Sequence, residues 1–288
     1  MNPRELNFEG PSPLLYLIAT PIGNLNEFSP RAIEVLSQCD FIAAEDTRNS
    51  GQLMAHFKIS KPFISCHEHN ENEASEKIIS LLRCGKKICY MSDAGYPTVS
   101  DPGQKLVAHC LEAGVKVSVI SGPSAAINAL AISGLDTSHF YFEGFLPAKE
   151  SEKAAELKDL ASRKETIIFY ESPHRIAKTL NSMYEILGER KASICRELTK
   201  AHEEVIRGTL KDFVELEEST LRGEMVIVVE GRPNVKTETS DEDILSALRS
   251  KLSEGKRTKE AVKEVSEELS IQKNKVYELS LSLKKQSN

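Results

Sequence analysis

One stretch of the chain decides the predicted fold: Met91-Ser92-Asp93-Ala94-Gly95-Tyr96-Pro97-Thr98-Val99-Ser100-Asp101-Pro102-Gly103. The apolar run 87–91 leading into it has the length and bounding turn residues of a buried strand. We expect a helix after it, with Asp101 as the N-cap and Pro102 at the first helical position. The loop between them is longer than an ordinary βα connection of roughly two to six residues. Open α/β sheets bind ligands at such places, so we expect a ligand site here.

Strand patterns alternate with helix patterns on both sides of this stretch. The predicted strands cover 14–19, 41–44, 63–65, 87–91 and 115–120. The predicted helices begin at Ser29-Pro30 and near residues 47, 72, 102 and 125. Such alternation predicts a parallel sheet with right-handed crossovers. We therefore expect an N-terminal α/β domain over residues 1–134.

Three loops at the carboxyl ends of the predicted strands are rich in small or turn residues: 20–24, 92–97 and 121–125. Loops at one edge of a parallel sheet share a face, so these three are expected to line one pocket. Their glycines, Gly23, Gly95 and Gly122, would expose main-chain N–H groups to a ligand. The loops contain neither a G-x-G-x-x-G nor a P-loop motif, which weakens a dinucleotide or P-loop nucleotide interpretation.

The second half alternates less regularly. A connector over 134–147 contains the aromatic run Phe140-Tyr141-Phe142, and a helix is expected near 151–162. Ser172 is the predicted N-cap of a helix that reaches residue 187. The predicted strands cover 166–170, 192–195, 204–207 and 225–229. Closely spaced strands predict a mixed sheet with an antiparallel part, in a second α/β domain over 135–232.

A polar segment over 232–240 is the predicted linker. Beyond it, three short amphipathic helices near 241–253, 258–268 and 273–283 predict a helix-turn-helix-like extension over 240–288. This tail is the more basic part of the chain, with 12 Lys and Arg against 10 Asp and Glu over 231–288. It could contact nucleic acid, or it could pack in a dimer or simply stabilise the fold.

Composition excludes several classes of protein. The chain has 288 residues, of which 40% are hydrophobic and 28% charged, enough for two folded domains. The net charge of −6 disfavours nucleic-acid binding by bulk charge. We find no apolar run long enough to span a membrane and no secretory signal order at the N-terminus, and expect a cytoplasmic protein.

Metal binding is not expected. Six cysteines are present, none in a C-x-x-C pair, and we interpret them as reduced core residues. His67, Glu68 and His69 are adjacent in the sequence. On a short extended stretch, adjacent side chains point to opposite faces, which does not suit a shared metal ion. A loop or surface role is the interpretation of this segment.

Eight motifs together resemble one family. They occur in the family order at 20–25, 44–48, 67–71, 92–95 with 100–103, 122–125, 143–147, 169–175 and 196–200. Over residues 14–231 the chain resembles the ribosomal RNA small subunit methyltransferase I family, which has the tetrapyrrole methylase fold. The tail resembles that family's helix-turn-helix extension.

The resemblance implies a fold, a cofactor and a substrate. It implies two α/β domains with S-adenosylmethionine (SAM) in the cleft between them, and a homodimer. It implies 2′-O-methylation of a cytidine ribose in the decoding region of 16S rRNA within the small ribosomal subunit. By motif position, the residues near SAM would be Pro21, Asp93, Gly95, Tyr96, Ser124, Ala125 and Tyr170. Four residues depart from the common pattern: Cys66 for Tyr, Tyr96 for a small Thr, Ser121 for Pro and Ala148 for Arg.

Methyl transfer from a sulfonium to a ribose 2′-OH needs alignment and an acceptor for the hydroxyl proton, and it requires no metal. Carboxylates at strand ends are the candidates, and we favour Glu171 and Glu197 over Glu45 and Asp46. Each acid could instead form a structural salt bridge to a neighbouring arginine. The predicted phosphate contacts are Arg48, Arg175, Arg196 and Lys200.

Two other functions stay open. A small-molecule methyltransferase acting on a tetrapyrrole would share the fold, but those enzymes usually carry a Gly-x-Gly-Pro-Gly-Asp first loop, where this chain has 19–24 as Ala-Thr-Pro-Ile-Gly-Asn. A non-catalytic RNA-binding or ribosome-assembly protein would use the basic tail. Glycine-containing loops at three strand ends favour a working ligand pocket over that second alternative.

Overall fold

The computed structural model describes residues 14–233, 240–269 and 271–286. The N-terminal segment discussed above and most of the predicted linker lie outside these residues. The chain forms two compact units, Met1–Arg232 and Pro233–Asn288. The division into domains at residues 134 and 135 stays a prediction.

The first sheet is parallel, as the alternation predicts. Its strands are β1 (Leu14–Ile18), β2 (Phe41–Ala44), β3 (Phe63–Ser65), β4 (Ile88–Met91) and β5 (Lys116–Ile120). They are ordered β3-β2-β4-β1-β5, so β4 is the central strand and β1 pairs with it. The order reverses beside β1, which places the loops after β4, β1 and β5 next to one another, at the position where α/β sheets bind ligands.

Five helices connect or follow these strands: α1 (Pro30–Gln38), α2 (Thr47–His56), α3 (Glu71–Arg83), α4 (Gln104–Glu112) and α5 (Ala125–Ser133). Apolar side chains cover both faces of the sheet, with Ile78, Leu82 and Leu106 on one face and Leu36 and Met54 on the other. Burial on both faces explains why the inner strands β1, β2 and β4 are continuous apolar runs in the sequence.

Helix α4 begins later than predicted. Its N-cap is Gly103, at φ 118°, and Asp101 does not cap it. A Cβ atom at position 103 would lie 2.3 Å from Cε1 of Tyr90, so glycine is required there. A buried carboxylate from α3, that of Glu71, accepts hydrogen bonds from the first turn of α4. This partner is distant in sequence, which is why local cap signals misplaced the helix start.

The second sheet is mixed, as predicted. Its strands are β6 (Phe140–Phe145), β7 (Thr166–Glu171), β8 (Lys191–Arg196), β9 (Glu204–Thr209) and β10 (Met225–Val229), in the order β6-β7-β10-β8-β9. Only the β6–β7 pair is parallel. The interpretation of Phe140–Phe142 as part of a connector was therefore wrong. The run belongs to an edge strand whose pattern is interrupted by a register shift before Gly144.

Three helices pack on one face of this sheet: α6 (Glu150–Leu160), α7 (Ile176–Leu187) and α8 (Leu210–Val214). Helix α7 begins at Ile176, three residues later than an N-cap at Ser172 predicts, because residues 172–175 form a separate turn. Helix α5 covers the opposite face, where Ala129 and Leu130 pack with Ile168 and Val226. Residues assigned by sequence to the first domain thus complete the core of the second sheet.

The described residues of the unit Pro233–Asn288 form three helices, α9 (Asp241–Ser253), α10 (Thr258–Glu268) and α11 (Lys273–Gln286), which confirms the predicted helical extension. Ser240 and Asp243 form a capping box at the start of α9. Ile244, Leu248 and Val265 belong to its small core. Among the described helices of the whole chain, none has the length and apolarity needed to cross a membrane.

Candidate functional site: a cavity between the two sheets

A cavity of about 780 Å³ lies between the loops of the first sheet and the strands of the second. Its wall includes residues from the loops after β1, β4 and β5, from the first turn of α5, and from β6, β7, β8 and β10. The prediction that three loops share one pocket is confirmed, since Ile22, Tyr96 and Gly122 all line it.

Six of the residues predicted for the site line this cavity: Gly95, Tyr96, Ser124, Ala125, Tyr170 and Glu171. Three more are chain neighbours of lining residues: Pro21 precedes Ile22, Asp93 precedes Ala94, and Glu197 precedes Leu198. Asp93 is exposed, and its Oδ2 accepts a hydrogen bond of 2.7 Å from Asn49 Nδ2.

Main-chain bonds tie the first two loops together. Thr20 and Gly95 exchange hydrogen bonds, at 2.8 Å from Thr20 N to Gly95 O and 3.1 Å from Gly95 N to Thr20 O. The N–H of Gly95 is therefore used within the protein, contrary to the expectation that it is exposed to a ligand. Its contribution is to fix the distance between the loops after β1 and β4.

Tyr96 ties the third loop to the second. The main-chain N–H of Gly122 donates to the Tyr96 hydroxyl over 3.3 Å, so this N–H also has an internal partner. A Cβ atom at position 122 would lie 2.9 Å from the carbonyl oxygen of Ala19, so a larger residue would push the loops apart. Tyr96, one of the departures from the family pattern, thus supplies a cross-loop hydrogen bond.

Two loops at the cavity hold unusual backbone conformations. Thr98 and Ser100 have φ of 76° and 60°, and Glu197 and Thr199 have φ of 51° and 69°. In the described part of the chain, only one other non-glycine residue, Lys58, has a positive φ. Such conformations cost about 1–3 kcal/mol each and concentrate at functional sites. The sequence does not indicate these conformations, because none of the four positions holds glycine, asparagine or aspartate, the residue types that most readily adopt a positive φ.

Three carboxyl groups have shifted pKa values: that of Asp101 in the first of these loops, and those of Glu45 and Asp46 after β2. The pKa of Asp101, which lines the cavity, is raised because burial penalises its charge, and Asp93 adds to the effect. The pKa of nearby Glu45 is also raised, first by burial and then by repulsion from Asp101 and Asp93. Asp46 behaves in the opposite way, since hydrogen bonds from Arg48 lower its pKa to about 2. Sequence reasoning missed Asp101 as a site residue because it assigned that side chain to a helix cap.

The Glu171 carboxylate lies at the cavity wall, but both of its oxygens have partners. Its Oε1 accepts from the Ser172 N–H at 2.8 Å, and its Oε2 accepts from the Thr179 hydroxyl at 2.6 Å. Arg175 Nε lies 3.4 Å from Oε1. The side chain of Glu171 is 1% exposed, so these contacts compensate a buried charge.

Glu197 lies in a second network. Its Oε1 accepts from Lys200 Nζ and from the main-chain N–H of Glu224, each at 3.0 Å. These bonds lower the pKa of Glu197, with the Lys200 hydrogen bond the largest cause. Lys200 Nζ also contacts Glu224 at 2.8 Å, and Glu224 lines the cavity.

All four predicted phosphate contacts pair with carboxylates inside the protein: Arg48 with Asp46, Arg175 with Glu171, Arg196 with Glu204, and Lys200 with Glu197 and Glu224. The side chain of Arg48 is 87% exposed, whereas those of Arg196 and Lys200 are 20% and 31% exposed. None of the four is among the described residues that line the cavity.

The described residues contain no group of three or more His, Cys, Asp or Glu side chains placed to hold a metal ion. His67 and His69 lie in a turn and not on an extended stretch, with ring centroids 6.0 Å apart, in accord with the loop role expected for this segment. Five of the six free cysteines are buried and Cys84 is exposed.

The cavity suits the parts of SAM. Its wall is largely apolar, with aromatic rings from Phe142 and Tyr170 that suit the adenine. Helix α5 begins at the wall, and its N-cap Ser124 makes no side-chain cap bond. Main-chain donors at a helix start suit a carboxylate such as that of the methionine moiety. The Asp101 carboxyl suits the amino group of that moiety.

Comparison with known proteins agrees with this architecture. Residues 14–214 match the family model described as Tetrapyrrole (Corrin/Porphyrin) Methylases. Two solved structures share the fold: uroporphyrin-III-C-methyltransferase from Thermus thermophilus, and a cobalt precorrin-4 methyltransferase of cobalamin biosynthesis. Each is 20% identical to this chain, with TM-scores of 0.53 and 0.55 respectively. The superpositions cover 76% and 75% of this chain, and 94% of each solved chain. At this identity the likeness concerns the fold alone.

Curated relatives are much closer in sequence. A protein from Synechocystis sp. named ribosomal RNA small subunit methyltransferase I is 44% identical, over 94% of this chain and 98% of its own length. A protein of the same name from Bacillus subtilis is 42% identical, over 96% and 97%. The chain therefore belongs to the ribosomal RNA small subunit methyltransferase I family, within the tetrapyrrole methylases.

Proposed function

We propose that this protein transfers a methyl group from SAM to the ribose 2′-oxygen of a cytidine in the decoding region of 16S rRNA. The observation that carries the proposal is the identity of 42–44% to relatives named for small-subunit rRNA, along nearly the whole chain. We place its action in the cytoplasm, on the small ribosomal subunit, as a homodimer.

SAM supplies an electrophilic methyl group on a sulfonium, which needs no metal for activation. The protein's part is to orient the 2′-oxygen and to hold its proton. Tied by Thr20, Gly95 and Tyr96, the three loops form a cavity with little freedom to change shape. A pre-organised cavity suits a reaction whose rate depends on alignment.

Glu171 and Glu197 are the proposed carboxylates of the reaction. Glu171 is the better placed of the two to face a substrate oxygen, because it lines the cavity. Its partners Thr179 and Arg175 would hold the carboxylate in one orientation. Glu197 would act at the edge of the site through Lys200, to which it is bonded.

RNA binding is proposed for the predicted cations and for the helical extension. Arg48 has the most exposed of the four side chains, so its charge is the most available to a phosphate. The positive charges of Arg196 and Lys200 would interact with a phosphate and with the carboxylates described above at the same time. The helices over 241–286 would add nucleic-acid contacts, in accord with the basic character of the tail.

The alternative of a tetrapyrrole substrate has less support. The solved tetrapyrrole enzymes are 20% identical to this chain, less than half the identity of the ribosomal RNA relatives. The loop at 19–24 also lacks the glycine pattern usual in that group. A non-catalytic RNA-binding role would leave the formed cavity without a use.

Mapping of 2′-O-methyl groups in 16S rRNA, in cells with and without this protein, tests the proposal. We expect one cytidine of the decoding region to lose its ribose methyl group, and a copy of the wild-type gene to restore it. Mass spectrometry of the purified protein should find SAM or its demethylated product. Unchanged 16S rRNA methylation in cells without the protein would contradict the proposed function.

A further inference from the structure

Three aromatic rings form a row on one wall of the cavity. The Tyr170 ring centroid lies 5.0 Å from that of Phe142 and 5.5 Å from that of Phe145, both in edge-to-face geometry. All three residues line the cavity. Phe145 ends the row and is 54% exposed, the highest exposed fraction among the large hydrophobic residues of the described chain.

The position of Phe145 results from an irregularity in β6. Side chains of a regular strand alternate between faces, so residues 140 and 142 share a face and residue 145 would take the other. The pairing of β6 with β7 shifts register between Phe142 and Gly144, and Gly144 has φ of 80°. Irregularities of this kind redirect side chains beside functional sites. Phe145 consequently lines the same cavity as Phe140 and Phe142.

The chain after Phe145 is held in place. Arg175 Nη2 donates to the carbonyl oxygen of Leu146 at 2.6 Å and to that of Pro147 at 3.1 Å. Arg175 is itself paired with the buried Glu171. An exposed ring on a restrained backbone loses little conformational freedom when a flat group packs on it.

We infer that the ring of Phe145 is the surface on which the base of the target nucleotide stacks. The inference rests on the proposed function. Single-stranded RNA is recognised by splaying bases onto aromatic side chains. The ribose is bonded directly to the base, so a base on Phe145 at the cavity wall brings the 2′-OH to the cavity.

The experiment compares F145L, which keeps an apolar side chain, with F145W, which keeps an aromatic surface. Leu111→Ala, an exposed apolar residue on α4, is the control. The substrate is small ribosomal subunits from cells without the protein, with radiolabelled SAM. Steady-state kinetics give kcat and KM for subunits, calorimetry gives the SAM affinity, light scattering gives the mass, and thermal melting checks folding.

We expect F145L to lower kcat/KM for subunits by about 5- to 150-fold, the effect of losing one base stack. F145W should stay within about three-fold of the wild type, and the SAM affinity, mass and melting temperature of both variants should not change.

Several results would overturn the inference. If F145L weakens SAM binding by the same factor, the ring contacts the cofactor; if it changes the mass, the ring contacts a second copy. An F145L variant as active as the wild type, or an F145W variant as impaired as F145L, would exclude stacking. If the wild-type protein itself transfers no methyl group to the subunits, the proposed function fails, and the inference with it.

Discussion

The carboxylate of Glu71 accepts a hydrogen bond from the main-chain N–H of Gly103 at 3.0 Å. The same oxygen, Oε1, accepts from the N–H of Leu106 at 3.0 Å. Glu71 is the first residue of α3 and is 5% exposed, so it caps α4 from another helix and inside the core. The loop before α4, which contributes Tyr96 and Asp101 to the cavity, is thereby fixed at its far end.

Replacement of Glu71 by alanine should lower the free energy of unfolding by about 1.5–3 kcal/mol, the value of a hydrogen bond to a charged group. Two buried N–H groups would lose their acceptor. Urea denaturation followed by circular dichroism measures the change. Glu76→Ala, on the exposed side of the same helix, should change the stability by less than about 0.5 kcal/mol. Equal losses in the two variants would contradict the capping role.

Replacement of Tyr96 by phenylalanine should weaken SAM binding by about 2- to 12-fold, as expected for the loss of one hydrogen bond. The Gly122 N–H would lose the hydroxyl that accepts from it, and the loop after β5 would become free to move. Calorimetry with SAM is the measurement. Tyr184→Phe provides the control, because Tyr184 is partly buried against the core of the second sheet and is not among the residues that line the cavity. Wild-type affinity in Y96F would remove the cross-loop bond from the binding site.

Replacement of Asp101 by asparagine should stabilise the free protein near neutral pH while impairing methyl transfer. The folded pKa of Asp101 is raised above its ordinary value of 3.8, so its charge opposes folding above the folded pKa, and this penalty disappears below 3.8. At pH 7 we expect D101N to melt about 2–4 °C higher than the wild type. At pH 3.5 the melting temperatures of the two folded proteins should be equal.

Thermal melting from pH 3.5 to 8 checks the pH dependence, and methylation assays check the activity. A stability gain that persists unchanged at the lowest pH would show that the ionised carboxylate is not its cause.

Replacement of Lys200 by methionine should separate packing from charge. The methionine keeps the alkyl chain but loses the contacts to Glu197 and Glu224 and any contact to phosphate. We expect the slope of log affinity for rRNA against log salt to fall in magnitude by about 0.7, the contribution of one phosphate contact on a single strand. Lys211→Met on α8 is the matched control. A slope equal to that of the wild type would show that Lys200 serves the protein's own structure alone.

The fold was predictable where burial decides it. Runs such as Ile88–Met91 are apolar because the strand is covered on both faces, and their alternation with helices predicted the parallel sheet. Strand order was not predictable, since it depends on pairings between distant segments. Phe140–Phe145 escaped recognition as a strand because Glu143 and Gly144 interrupt its apolar run at the register shift.

The site was predictable in its glycine loops and less so in its partners. The loop that contains Gly95 was found because it follows a strand at one sheet edge, whereas Tyr96 and Ser124 were assigned from the family resemblance; all three line the cavity. The cations were visible in the sequence, and the salt bridges of Asp46 to Arg48 and of Glu171 to Arg175 are the structural pairs that were kept open for these acids. A partner distant in sequence was not visible, since Glu224 meets Lys200 only in the folded chain. Phe145 was missed because it lies in a segment interpreted as a connector, and the sequence does not indicate whether an aromatic ring there is exposed.

Gly23 has a consequence for the distance between the two sheets. It follows β1 of the first sheet, and a Cβ atom there would lie 2.5 Å from Cγ of Lys200, which follows β8 of the second. An added methyl group would push apart the loop after β1 and the loop after β8. The close approach of the loop after β1 to the loop after β8 therefore depends on the absence of a side chain at position 23.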